Sequence, residues 1–125
     1  MRYLMLVIAG FVLSGCDFFG PDERNKDSIA YVDSVKILSV KDLSARINVV
    51  CATPDPCWLF SRSTEFRNNK ELTYRIFQIR KDQANCPDVV SSFIVPLEIR
   101  VAVAGTYTLK FHRTETTTLD TIITF

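Results

Sequence analysis

Ser91-Ser92-Phe93-Ile94-Val95-Pro96-Leu97-Glu98-Ile99-Arg100-Val101 is the stretch on which the fold turns. Phe93, Val95, Leu97, Ile99 and Val101 occupy alternate positions, with Ser92, Ile94, Pro96, Glu98 and Arg100 between them. A period of two puts the first set on one face of a β-strand and the second on the other, whereas a helix would scatter both around its axis. Pro96 has no amide hydrogen to give to a ladder, so this strand is expected at a sheet edge or bent at the proline.

The alternation continues in both directions. Downstream, Tyr107, Leu109 and Phe111 form one buried set, and Leu119, Thr121, Ile123 and Phe125 form another after a polar turn from Arg113 to Thr117. That pattern predicts a hairpin. Upstream, Ala45, Ile47, Val49 and Cys51 alternate against Arg46 and Asn48, Trp58 with Phe60 opens a strand, and Leu72, Tyr74 and Ile76 mark another beyond Asn68-Asn69. With a first strand between Tyr31 and Val40, the expectation is an all-β domain over residues 29–125, a single seven-stranded Greek-key sandwich of immunoglobulin-like type. An open barrel is the second choice.

Chemistry-bearing residues are sparse. His112 is the one histidine, at a strand end beside Arg113, and no Gly-x-Ser-x-Gly elbow accompanies it as the nucleophile of a triad. The cysteines lack the paired short spacings of zinc sites, and five residues rather than two separate Cys51 from Cys57. Neither catalytic residues nor a metal or other cofactor are expected. Trp58 is expected to pack in the core beside a disulfide, and Arg75, Arg80, Lys81, Arg100, Lys110 and Arg113 to be solvated strand faces.

The N-terminus begins with Arg2 and an uncharged run from Tyr3 to Leu13. Such a run is too short for the roughly 20-residue helix that spans a hydrocarbon core, and it has a signal-peptide layout. It ends in Leu13-Ser14-Gly15-Cys16, which resembles the lipobox of bacterial lipoproteins. The resemblance implies a signal peptide over residues 1–15 and a palmitate-bearing Cys16 as the first residue of the mature protein. Two or more acyl chains hold a protein stably at a membrane. Residues 16–28 are expected to form a lipidated N-terminus and polar tether. Asp17 resembles the inner-membrane retention signal of enterobacterial lipoproteins.

Cleavage would remove Arg2 and no acid, so the 15 basic residues fall by one to equal the 14 acidic ones. A net charge of zero argues against nucleic acid as a partner, since such binding needs a basic excess. Gly20 and Gly105 alone would remain of the glycines, which excludes Gly-rich phosphate loops.

Export places Cys51, Cys57 and Cys86 where disulfides persist, and an odd number cannot all pair within one chain. Cys51 shares an inward face with Ile47 and Val49, and a Cys51–Cys57 loop would hold Pro54 and Pro56. Joining Cys57 to Cys86 closes about 30 residues, worth roughly 3–4 kcal/mol by chain entropy. The expected bridge is therefore Cys57–Cys86, with Cys51 a buried free thiol. Pro56-Cys57, Cys86, the strand from Phe93 to Val101 and Gly105-Thr106-Tyr107 together resemble a broad group of small exported lipoproteins of unassigned activity.

The functional expectation is a lipid-anchored, non-enzymatic module of the cell envelope. It would face the periplasm from either membrane or lie at the cell surface, binding an envelope protein or glycan or serving as a structural accessory. The alternative is an inhibitor or regulator of an envelope enzyme, acting through the loops Ala52–Pro56 or Lys81–Val89.

Overall fold

A computed structural model describes residues 27–81 and 85–125. Eight strands follow one another: β1 (Ser28–Ile29), β2 (Tyr31–Lys41), β3 (Ser44–Thr53), β4 (Trp58–Asn68), β5 (Glu71–Arg80), β6 (Ser91–Arg100), β7 (Thr106–His112) and β8 (Thr118–Thr124). The count exceeds the expected seven by β1, whose two residues are too short to carry a period. Ser28, assigned from the sequence to the tether, already pairs in it.

The strands form two sheets. In the smaller, β3 lies between β2 and β6, antiparallel to both. β6 is thus an edge strand, and Pro96 sits there opposite Asn48 without interrupting an interior ladder. In the larger, β4 pairs antiparallel with β5 along its length. The other margin of β5 is shared: β1 pairs with Phe77 and Gln78, and β7 runs parallel to Glu71–Tyr74 before pairing antiparallel with β8. The parallel pair has no counterpart in a sandwich of purely antiparallel sheets.

Alternation does what the sequence predicts along the central strands. Ala45, Ile47, Val49 and Cys51 of β3 are fully buried, and across the interior they meet Leu72, Tyr74 and Ile76 of β5 and Tyr107, Leu109 and Phe111 of β7 in one apolar cluster. Tyr74 stacks on Phe111 with ring centroids 5.2 Å apart. Tyr107 meets Phe125 edge to face at 5.4 Å.

Two corners lock the ends of this core. Gly105, at φ +150°, turns the chain into β7, and its N–H and C=O both bond Phe125, at 3.2 and 2.9 Å. The Tyr107 hydroxyl donates back to the Val103 carbonyl at 2.6 Å, pinning the same corner. The β2–β3 turn puts Asp42 and Leu43 at φ 50° and 62° without a glycine. A left-handed leucine costs on the order of 1 kcal/mol or more. Leu43 offsets that by packing on the core and accepting the Val101 N–H at 2.9 Å.

Trp58 corrects an expectation. It is half-buried at the start of β4 and lies outside the core cluster, because β4 is a marginal strand of the larger sheet, beyond the apolar face of β5.

Phe111→Ala is expected to cost about 3–5 kcal/mol in urea denaturation, as for other buried aromatics. Ile122→Ala, at a side chain 69% exposed on β8, should stay within roughly 0.5 kcal/mol of wild type. Equal losses would refute the two-sheet core.

Candidate functional site

The two ends of the sandwich differ. At one, Cys57 and Cys86 are joined across 29 residues with their Cα atoms 5.8 Å apart. The bond ties the loop after β3 to the segment after β5, bringing together the two loops singled out from the sequence. Thr53, buried, donates its hydroxyl to the Asp55 carbonyl at 2.8 Å, and the Asp55 carboxylate takes the Cys57 N–H at 2.9 Å. Arg80 reaches the same carboxylate at 3.4 Å, and the Lys81 N–H bonds the Cys57 carbonyl at 3.0 Å. The first loop is therefore held by its own side chains, while Val89 and Val90, at 61% and 80% exposure, project from the second.

Asp55, Cys57 and Cys86 bring three donor atoms within 4.8 Å of one another. Both sulfurs are already bonded to each other, so the oxidised cluster offers a metal one carboxylate and no thiolate. Gln78, two residues before Arg80 on β5, is buried with its Oε1 unpartnered among the described residues. It was missed in the sequence because it continues the inward alternation that Leu72, Tyr74 and Ile76 set.

The first described residue lies at this end too. Asp27 takes a 2.8 Å ion pair from Arg62 of β4 and the Ser61 hydroxyl at 3.3 Å. The segment containing Cys16 precedes it, and Cys16 itself is outside the described residues.

The opposite end gathers the β2–β3 turn, the Asn69-Lys70 turn, the Gly105 corner and the C-terminal Phe125. Hydrogen bonds knit it: Leu43 to Val101, Lys70 to Thr108, and Gly105 to Phe125. A groove of about 570 Å3 opens here, lined by Ser39, Lys41, Asp42, Leu43, Ser44, Arg46, Glu98, Arg100 and Val101. Three cations and two acids face it. Glu98 is oriented by Arg100, whose Nη2 lies 3.0 Å away, and by the Ser44 hydroxyl at 3.3 Å. Those hydrogen bonds and the Arg100 charge hold its carboxyl below the usual carboxylate range. The left-handed turn at Asp42-Leu43 shapes the rim, a feature that no Gly or Asn announces in the sequence.

His112 is half-buried in a shallow depression with Thr64, Glu65, Phe66, Thr73 and Arg75. Its Nδ1 lies 3.1 Å from the Thr114 carbonyl oxygen. Arg113 spends its guanidinium on the Val32 and Asp33 carbonyls of the β2 margin, at 2.9 and 3.1 Å, so it braces two strands where a solvated strand face was expected.

Cys51 is the free thiol among the described residues and is fully buried. Burial pushes it from the ordinary 9.0 up to about 12, which leaves it protonated and unreactive across the physiological range. No protein-family model, curated protein or solved structure matches this chain.

Two outcomes are expected. Cys57→Ser should lose roughly 3–4 kcal/mol, read as a lowered urea midpoint under oxidising conditions. For Cys51, a folded-state value above the unfolded one means stability complete below about pH 9 and falling toward pH 12, by about 1.4 kcal/mol per pH unit. Cys51→Ala should flatten that alkaline decline. Identical alkaline slopes for the two proteins would rule the thiol out as its source.

Proposed function

We propose that this chain is a lipid-anchored cell-envelope module that binds an envelope protein or glycan, or braces such a partner, without catalysis of its own. The observation that carries the reading is the division of the domain between its ends. Asp27, the first described residue, and the disulfide-stapled loops share one end, and a groove of mixed charge lies at the other. A domain held through Cys16 would present that groove away from the membrane. Rigid loops and an oriented Glu98–Arg100 pair suit recognition, where a pre-organised polar surface loses less entropy on binding.

The immunoglobulin-like type of sandwich belongs to the same proposal. It is supported by Tyr107, whose hydroxyl bonds back to Val103 much as the corner tyrosine of such domains bonds upstream. The parallel β5–β7 pair departs from that type.

A regulator that inserts a loop into an enzyme cleft is the second reading, favoured by exposed Val89 and Val90 beside the bridge. The two readings use opposite ends of the domain, which makes them separable.

Metabolic labelling with palmitate should mark the wild-type protein and leave Cys16→Ser unlabelled, and globomycin should make a larger precursor accumulate. A wild-type protein without lipid ends the anchoring proposal. In pull-downs from solubilised membranes, the double variant Arg46→Glu/Arg100→Glu should lose the partner while Val90→Ser keeps it. The reverse pattern, with a hydrolase recovered, would replace the module by the regulator.

A further inference from the structure

β4 is one open margin of the larger sheet and β8 the other, and the second half of β4 has neither the proline nor the register shifts that interrupt the margins of the smaller sheet. β6 carries Pro96, and β2 has two register shifts and two carbonyls occupied by Arg113. β4 has neither proline nor lysine, and its single irregularity falls between Phe60 and Arg62. From Ser63 to Asn68 it is regular, exposed and paired on one side only. Phe66, 68% exposed, is the most exposed aromatic among the described residues. A regular, uncovered edge of this kind is a template for another strand.

We infer that the strand it takes is β4 of a second copy, paired antiparallel about a two-fold axis through Phe66. Cross-strand register with β5 fixes which side chains share a face: Glu65 and Arg67 lie over Tyr74 and Leu72 on the inner face, and Thr64, Phe66 and Asn68 on the outer. Opposed residues in an antiparallel pair share a face, so a two-fold pairing must centre on a residue. Centred on Glu65, it sets two carboxylates against each other. Centred on Thr64, it faces Glu65 with Ser63. Centred on Phe66, it faces Glu65 with Arg67 of the second copy, twice over, sets the Phe66 rings together and matches Thr64 with Asn68. Only this last register gives complementary charge and apolar contact at once.

Local chemistry favours it. Within one copy, Glu65 bonds Arg67 and takes the Tyr74 hydroxyl at 2.7 Å, so the carboxylate stays ionised and oriented near the edge. The two five-stranded sheets become one of ten. Because the axis is normal to the sheet, both outer faces point the same way. Arg62, stacked on Phe77 of that face, holds Asp27 there, so both chains enter the pair from one side. The inference stands on β4 alone and does not need lipidation.

The test uses the full chain in the membranes of an expressing cell. Opposed Cα atoms in antiparallel pairs lie about 4.5–5.5 Å apart, within disulfide reach. Phe66→Cys should give a dimer band on non-reducing gels, with peptide mapping joining position 66 to position 66. Ile122→Cys, on the β8 margin, should remain monomeric. Adding Arg67→Glu, which opposes like charges, should cut the yield by about tenfold, and adding Glu65→Arg as well should restore it. Thermal melts of each variant separate this from loss of the contact within one copy. A Phe66→Cys protein that crosslinks no better than Ile122→Cys overturns the proposal, as does failure of the double reversal to restore a folded protein's yield. An introduced thiol found bonded to a different protein overturns it in favour of a foreign strand.

Discussion

Two sheets of unequal width meet in this domain, and a three-stranded layer leaves part of a five-stranded one without apolar cover. Where the layers overlap, β3 faces β5 and β7, and each inward side chain from Ala45 to Cys51 finds a partner from Leu72 to Ile76 or Tyr107 to Phe111. Burial at roughly 25 cal/mol per Å2 makes that overlap the source of most of the stability. Beyond it the same sheet continues as β4, whose inner face turns polar at Ser63, Glu65 and Arg67. Charged residues pointing inward are what such a margin permits, since Ser63, Glu65 and Arg67 all stay exposed to water.

The mismatch also explains a polar contact at the margin of the core. Tyr74 reaches out of the core to put its hydroxyl on Glu65. Burial, then the bond to Glu65 and its charge, raise the Tyr74 hydroxyl well above its ordinary value. Partial burial pushes Glu65 up, but the bonds from Arg67 and Tyr74 and the Arg67 charge outweigh it, leaving the carboxyl below its ordinary value. The pair thus closes the core's open side with a hydrogen bond where neighbouring strands close it with packing.

What the sequence made legible follows the same division. Alternation in β3, β6 and β7 could be read because each is buried on one face and solvated on the other, the condition under which a period of two appears. Pro96 pointed to an edge or a bend because a missing amide hydrogen cannot serve an interior ladder, and β6 takes the edge. The disulfide pair was reachable from the parity of three thiols and the inward position of Cys51. β4 was misread in part: Trp58, Leu59 and Phe60 have the composition of a core strand, yet β-propensity reflects a side chain's surroundings and the chain cannot state that this strand ends up at the sheet margin. The parallel β5–β7 contact joins segments distant in sequence and leaves no local trace. The groove escaped notice because its rim is a left-handed Asp42-Leu43 turn, stabilised by Leu43 packing that only the folded core supplies.

Chain direction then links fold to placement. An odd number of crossings between the two ends would separate the entry from the exit of the folded domain, and here Asp27 lies beside Ser61 and Arg62 while Phe125 is hydrogen-bonded to Gly105 at the other end. The covalent staple sits at the entry, where any pull transmitted by a preceding segment is first felt. Its two strands, β4 and β5, are the ones Asp27 and β1 hold. At the exit no covalent bond is present among the described residues, and the corner depends instead on the Tyr107–Val103 bond and the two-way Gly105–Phe125 pair. Among the described residues, the groove end is therefore held by hydrogen bonds and packing, while the end nearest Asp27 has a covalent bond as well.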